Sequence, residues 1–170
     1  ITGSKLGIQT SGMLMDTEFA DLAYWSVTSG WALDSGSDVT GIMLAPVAFK
    51  TPAGNGTTTQ AGNILTTPLQ TVEPNTVYRL RLDTLLKTGF TGQILLRLKT
   101  YDNTQTLIST LQATASANGR TVAIASDTFA TLDGQVTTTS NTHYIEFQIY
   151  NLWSTTQNNA QFAYVARPQL

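Results

Sequence analysis

The sequence predicts an all-β protein, an antiparallel β-sandwich or jelly roll, on three observations. Short segments of apolar/polar alternation recur along the 170 residues, separated by clusters of Gly, Pro, Asn, Asp and Thr. Nothing beyond Trp25 sustains a helical period of 3.6, so no crossover helices are available to join parallel strands. Strands in this number, eight or more, would leave one apolar face wet in a single sheet, so two sheets must stack.

The elements are expected in the following order. Residues 1–15 carry no strong period and read as the end of a stalk or linker, leaving 16–170 as the binding domain. Met13 to Trp25 has room for a short helical turn. Gly41 to Phe49 is apolar and strand-like, ending at Lys50. Thr51 to Gly62 is a Thr- and Gly-rich loop with no core candidates. Ile64 to Val72 reads as a strand, and Glu73-Pro74-Asn75-Thr76 as a turn. Thr76 to Leu85 alternates, with Tyr78, Leu80 and Leu82 on one face and Arg79, Arg81 and Asp83 on the other. Thr88 to Gly92 turns the chain. Ile94, Leu96 and Leu98 then oppose Leu95, Arg97, Lys99 and Tyr101. Asp102-Asn103-Thr104-Gln105 turns into Leu107–Leu111. Arg120 to Phe129 is the next strand. In Tyr144 to Leu152, Ile145, Phe147 and Ile149 oppose Tyr144, Glu146, Gln148 and Tyr150. A last strand covers Gln161 to Val165, before Arg167-Pro168.

Composition narrows the function. Only 12% of residues are charged and the net charge is -2, so there is no basic field to neutralise phosphates, and nucleic acid is not expected as a partner. The absence of Cys removes disulfides, thiolate zinc sites and Cys nucleophiles together. No run approaches the ~20 apolar residues of a membrane-spanning helix, so membrane insertion is not expected. The chain begins at Ile1 and not at Met, and reads as a piece of a longer protein or a processed product.

Several segments resemble the galactose-binding-like jelly rolls, a group with many carbohydrate-binding modules. Asp16-Thr17-Glu18-Phe19, then Trp25, then Gly30-Trp31 are similar to their opening motif. Val72-Glu73-Pro74-Asn75-Thr76-Val77-Tyr78-Arg79-Leu80 is similar to the start of one of their strands, and Ile94 to Asp102 with Thr106-Leu107-Ile108-Ser109 to the hairpin after it. At the ends, Ile1-Thr2-Gly3-Ser4-Lys5-Leu6 resembles a repeat of phage tail-fibre stalks, and Ala166-Arg167-Pro168-Gln169-Leu170 the close of jelly rolls in phage tail proteins. The resemblance implies the distal receptor-binding module of a tail fibre or tailspike: a homotrimer in the virion, contacting a cell-surface glycan. An extracellular accessory module of a polysaccharide-degrading enzyme, and a purely structural fibre-tip trimerisation domain, are the alternatives. Many such jelly rolls hold a structural calcium using an acid in the opening motif and an Asp in the last strand. Phe162-Ala163-Tyr164-Val165-Ala166 has no acid, so a metal or other cofactor is not expected. Asp16, Glu18 and Asp21 are the calcium ligands that remain available.

Catalytic groups are sparse. His143 is the one His, with no Gly-x-Ser-x-Gly elbow to serve, and reads as a surface residue at a strand start. Glu146 and Asp83 could converge as the two carboxylates of a glycosidase, but outward carboxylates on strands are ordinarily solvated or paired with Arg. Asp34-Ser35-Gly36-Ser37-Asp38 is too short for a twelve-residue calcium loop and reads as a polar turn. The expectation is a binding domain and not an enzyme. Sugar rings offer hydroxyls around an apolar C–H face, so their sites pair aromatic rings with planar hydrogen-bonding side chains. Arg79, Arg81, Arg97, Tyr101, Glu146, Gln148 and Tyr150 supply that inventory on three strands, with Lys99 beside them. They form one surface if the three strands share a sheet; otherwise they are solvated faces with cross-strand ion pairs. Trp153, in a polar stretch beyond Tyr150, is a further platform or a loop anchor. Trp25 and Trp31 are expected in the core.

Overall fold

The computed structural model describes residues 19, 23–27, 31–51, 63–90, 92–115, 127–153 and 162–170. Among these, the strands are β1 (Ser26–Val27), β2 (Ala32–Asp34), β3 (Ala48–Lys50), β4 (Asn63–Thr66), β5 (Gln70–Thr71), β6 (Val77–Leu86), β7 (Gly92–Tyr101), β8 (Leu107–Gln112), β9 (Thr114–Ala115), β10 (Phe129–Thr137), β11 (Tyr144–Trp153) and β12 (Ala163–Gln169). They form two six-stranded sheets. The first runs β1-β4-β11-β7-β8, with β5 also on β11. The second runs β2-β3-β12-β6-β10-β9. Every paired ladder is antiparallel. This is the two-sheet antiparallel β-sandwich that the alternation predicts.

The alternation explains the packing. Leu80 and Leu82 of β6, Ile94, Leu96 and Leu98 of β7, Leu132 of β10, Ile145, Phe147 and Ile149 of β11 and Val165 of β12 are all essentially inaccessible and meet in one core. Their odd-numbered or even-numbered neighbours stand on the outer faces, because successive strand residues point opposite ways. An aromatic cluster fills the inter-sheet space. Phe19 lies edge-on to Trp25 at 5.1 Å and to Phe49 at 4.7 Å, and Trp25 lies edge-on to Phe147 at 6.4 Å. These are the offset, edge-to-face arrangements that ring quadrupoles favour. Trp25 and Trp31 are buried in this core, as expected.

Two Thr-Pro pairs end strands in the same way. Proline has no N–H and cannot extend a ladder, and at the last position before it the Thr hydroxyl, in place of a backbone carbonyl, accepts the N–H of the facing strand. Thr67 N–H donates to the Phe147 carbonyl at 3.0 Å, while Thr67 Oγ1 accepts the Phe147 N–H at 3.0 Å. In the other sheet Thr51 N–H donates to the Ala163 carbonyl at 2.9 Å, and Thr51 Oγ1 accepts the Ala163 N–H at 3.0 Å. Both Thr side chains are buried, so each hydroxyl satisfies an amide that water cannot reach.

Three sequence expectations are corrected. Gly41 to Phe49 is not one strand: Asp38–Met43 is a turn of π-helix, closed by Leu44 at φ 53°, and only Ala48–Lys50 is extended. Val39 and Met43, four apart, pack this turn onto Leu85, Tyr164 and Ala166 on the outside of the second sheet. Ile64 to Val72 is two short strands parted before Pro68. The strand expected at Arg120 to Phe129 falls mostly on 120–126, outside the described residues, and a strand that was not expected runs Phe129–Thr137. The last strand continues through Pro168, with a register shift between Ala166 and Gln169 where Arg167 takes φ 47°. Residues 1–15, the expected stalk, also lie outside the described residues.

Candidate functional site

The topology divides the expected binding surface in two. Arg97, Tyr101, Glu146, Gln148 and Tyr150 lie on β7 and β11, which are direct neighbours in the first sheet. Arg79 and Arg81 lie on β6, in the second sheet. Stacked sheets are ~10 Å apart, and these side chains point away from the gap on opposite sides. A single surface made of all seven therefore does not exist. Trp153 ends β11 opposite Gly92, and its side chain lies outside the described residues.

On the first sheet the register assembles a transverse grid. Ser26, Thr66, Gln148, Arg97 and Gln112 stand in one row across five strands, β1 to β8. The next row is Glu146, Lys99 and Thr110, and the one after it Thr71, Tyr144, Tyr101 and Leu107. On the other side Tyr150 stands opposite Leu95. At ~4.8 Å per strand, the five-residue row is about 19 Å long. A groove of about 440 Å³ opens over the Ser26–Thr66–Gln148 end of this row, bordered also by Tyr24, Trp25, Thr67, Pro68, Lys99 and Glu146.

Several polar groups on and beside this grid are held by their neighbours. Gln148 is buried, at 3% exposure, and forms the floor, its Nε2 donating to Thr66 Oγ1 at 3.2 Å. Its side-chain carbonyl and second N–H remain for a ligand. Tyr101 donates its hydroxyl to Glu146 Oε2 at 2.6 Å, and Lys99 Nζ lies 3.9 Å from the same oxygen. Partial burial, reinforced by the Glu146 carboxylate, pushes the Tyr101 phenol well above its ordinary range, so it stays a donor. Gln70 Nε2 donates to the Tyr24 hydroxyl at 2.9 Å, fixing that ring at the rim. The Arg97 guanidinium lies over the Tyr150 ring at 3.8 Å. One face of Tyr150 is thus occupied, and the pair presents the flat guanidinium as well as the ring edge.

The outer face of the second sheet is a network of ion pairs. Arg79 forks Asp133, with Nε to Oδ1 at 2.8 Å and a second N–H on Oδ2. Arg81 Nε is 3.5 Å from the same carboxylate. Arg167 Nε donates to Asp83 Oδ2 at 2.5 Å and reaches the Met43 carbonyl through its terminal nitrogen at 2.9 Å, while Thr131 donates to Asp83 Oδ1 at 2.7 Å. These are cross-strand pairs on β6, β10 and β12 that tie the π-helical turn to the sheet. Asp83 and Glu146 lie on opposite sides of the sandwich and cannot flank one glycosidic bond.

The remaining candidates resolve individually. His143 is exposed and contributes its backbone, donating N–H to the Tyr101 carbonyl at 2.8 Å. Asp34 turns to the Gly36 N–H at 2.7 Å and to Lys50, and Asp38 to Lys87 and Tyr164, so the two acids of that turn serve different partners. Asp16, Glu18 and Asp21 lie outside the described residues, and among the described residues no three His, Asp or Glu side chains cluster to hold a metal ion. No described helix is long and apolar enough to cross a membrane. Tyr24, Thr66 and Gln112 are site residues that the sequence reading missed. Tyr24 lies in a segment without period, and Gln112 belongs to β8, whose alternation is interrupted by a register shift near Tyr101.

No protein-family model matches the chain, and no curated protein does. Solved structures do. The CBM22-1–GH10 modules of Clostridium thermocellum endo-1,4-β-D-xylanase 10B, complexed with xylohexaose, superpose with a TM-score of 0.61 at 9% identity, covering 95% of this chain and 28% of that one. The CBM22-2 xylan-binding domain of a Paenibacillus barcinonensis xylanase matches at 0.57 and 12%, covering 91% and 94%. The enzymatically active domain of tailspike protein 4 of bacteriophage CBA120 matches at 0.59 and 13%, covering 89% of this chain and 20% of that one. At these identities the likeness is one of fold. The chain spans about a fifth of the tailspike chain and about a quarter of the two-module xylanase chain.

Proposed function

We propose that this domain is a non-catalytic carbohydrate-binding module whose glycan lies across the strands of the first sheet, along the row Ser26–Thr66–Gln148–Arg97–Gln112. The observation that carries this reading is the row itself. Five strands place hydrogen-bonding side chains at one level beside a groove edged by tyrosine. An extended polymer offers hydroxyls at intervals along its length, and such a row can meet several of them at once. Most described carboxylates pair with a Lys or Arg, and Glu146, the acid lining the groove, pairs with Lys99 with no second acid on the groove's border, which fits binding without hydrolysis. Neighbours described as xylan-binding modules support the ligand class.

The parent protein is the finer question. The tailspike neighbour, with the two terminal motifs, supports a virion module that contacts a bacterial surface glycan as a homotrimer. The xylanase neighbours support an extracellular accessory module of a polysaccharide-degrading enzyme. Native affinity electrophoresis through gels holding a panel of plant and bacterial polysaccharides tests the shared reading, with retardation by at least one polymer expected. Absence of retardation on every polymer favours a structural fibre-tip domain. Light scattering separates the parents: a trimer supports the virion module, and a monomer across a wide concentration range supports the accessory one.

A further inference from the structure

Seven Lys and Arg residues fall among the described residues: Lys50, Arg79, Arg81, Lys87, Arg97, Lys99 and Arg167. Six of them have a carboxylate within 4.0 Å. Arg97 alone among them has none. Its one contact of this kind is the ring of Tyr150 under its plane. It is also the fourth of the five residues of the proposed glycan row, between Gln148 and Gln112, with Lys99 two positions along the same strand. The Lys99 charge is shared with Glu146, so the described groups of this face carry one positive charge in excess, on a chain whose net charge is -2.

A guanidinium that is only solvated has no need of this placement. Stacking on Tyr150 fixes its plane and covers one face, which leaves the fork of N–H donors at the edge directed to whatever fills the row. A forked donor with fixed orientation matches a planar two-oxygen acceptor, and a carboxylate is that acceptor in polysaccharide chemistry. Building on the carbohydrate reading above, we infer that Arg97 is the receptor for a carboxylate carried by the glycan. The ligand is then an acidic polysaccharide with uronate-type groups, and Tyr150 is the positioning residue that holds the guanidinium flat.

The test uses a set of uronate-bearing polysaccharides, among them a glucuronoxylan, each intact and with its carboxyls reduced to primary alcohols. The intact polymer that binds is expected to do so roughly tenfold to a hundredfold more tightly than its reduced form, the range of a hydrogen bond to a charged group. The difference should shrink with salt. Arg97→Gln should abolish the difference, bringing the intact and the reduced polymer to the same affinity. Arg97→Lys should keep only part of it, because a point charge lacks the fork. Equal affinity for intact and reduced polymer overturns the inference and leaves the carbohydrate reading standing. So does a preference for the intact polymer that survives Arg97→Gln. Failure to bind any polymer in either form overturns both.

Discussion

The pair Arg79 and Arg81 distinguishes this structure from a reading in which every outward Arg serves the ligand. Replacing both by Ala removes the fork on Asp133 and the second contact at 3.5 Å. The arginine side chains are 63% and 44% exposed, whereas that of Asp133 is 13% exposed. Exposed pairs contribute about 0.2–1 kcal/mol each. With the largely shielded Asp133 carboxylate deprived of these contacts, the double change should cost about 1–2 kcal/mol. For a chain of this size each kcal/mol moves Tm by about 2–4 °C, so Tm should fall by about 2–8 °C. Glycan retention should be unaffected, because both residues project from the second sheet. The assays are thermal unfolding followed by circular dichroism and affinity electrophoresis on the same preparation. Loss of retention with the fall in Tm inside that window would refute the assignment of the site to the first sheet.

Other consequences concern the scaffold. Thr67→Val keeps the side-chain shape but orphans the buried Phe147 N–H, and should cost about 1–3 kcal/mol in denaturant unfolding, while Thr67→Ser should be close to neutral; equal effects would mean the hydroxyl is not needed. Phe147→Ala opens the core beneath Trp25 and should cost about 3–5 kcal/mol, read as a shift in the urea midpoint at constant m-value. Tyr164 is pushed up to about 12, first by burial and then by the charges of Asp34 and Asp38. A phenol whose folded value lies above its ordinary 10.0 contributes stability that is complete below about pH 10 and is lost as pH rises through the folded value. Tyr164→Phe should therefore make the fall of Tm with pH shallower in that range, and an unchanged slope would assign the alkaline loss to other groups.

The strand alternation of β7 and β11 made the inward and outward sets legible before the fold was known. Arg97, Glu146, Gln148 and Tyr150 stand where their parity places them. What local pattern does not encode is which sheet a strand joins. β6 and β7 are consecutive, and the stretch from Lys87 to Thr91 between them is short enough for a hairpin. Instead it crosses from one sheet to the other. Lys87 N–H donates to the Phe162 carbonyl at 3.0 Å, and Phe90 is buried where the chain passes the end of the core. The crossing alone sends Arg79 and Arg81 away from Arg97. The π-helical turn was missed for a related reason: Ile42-Met43-Leu44-Ala45 is apolar throughout, and only the i, i+4 pair Val39 and Met43 distinguishes it from a buried strand. β10 is not legible in the sequence because its inward positions include Gly134, which interrupts the apolar alternation between Leu132 and Val136.

The central claim is that the outer face of the β1-β4-β11-β7-β8 sheet holds a glycan. Isothermal titration with a retained polysaccharide, comparing the unmodified domain with Gln148→Leu and Tyr150→Ala, tests it most directly. The account predicts at least a tenfold loss of affinity in each variant, about 1.4 kcal/mol or more, with the folded baseline intact by circular dichroism. Unchanged affinity in both variants would contradict it and place the ligand elsewhere on the sandwich.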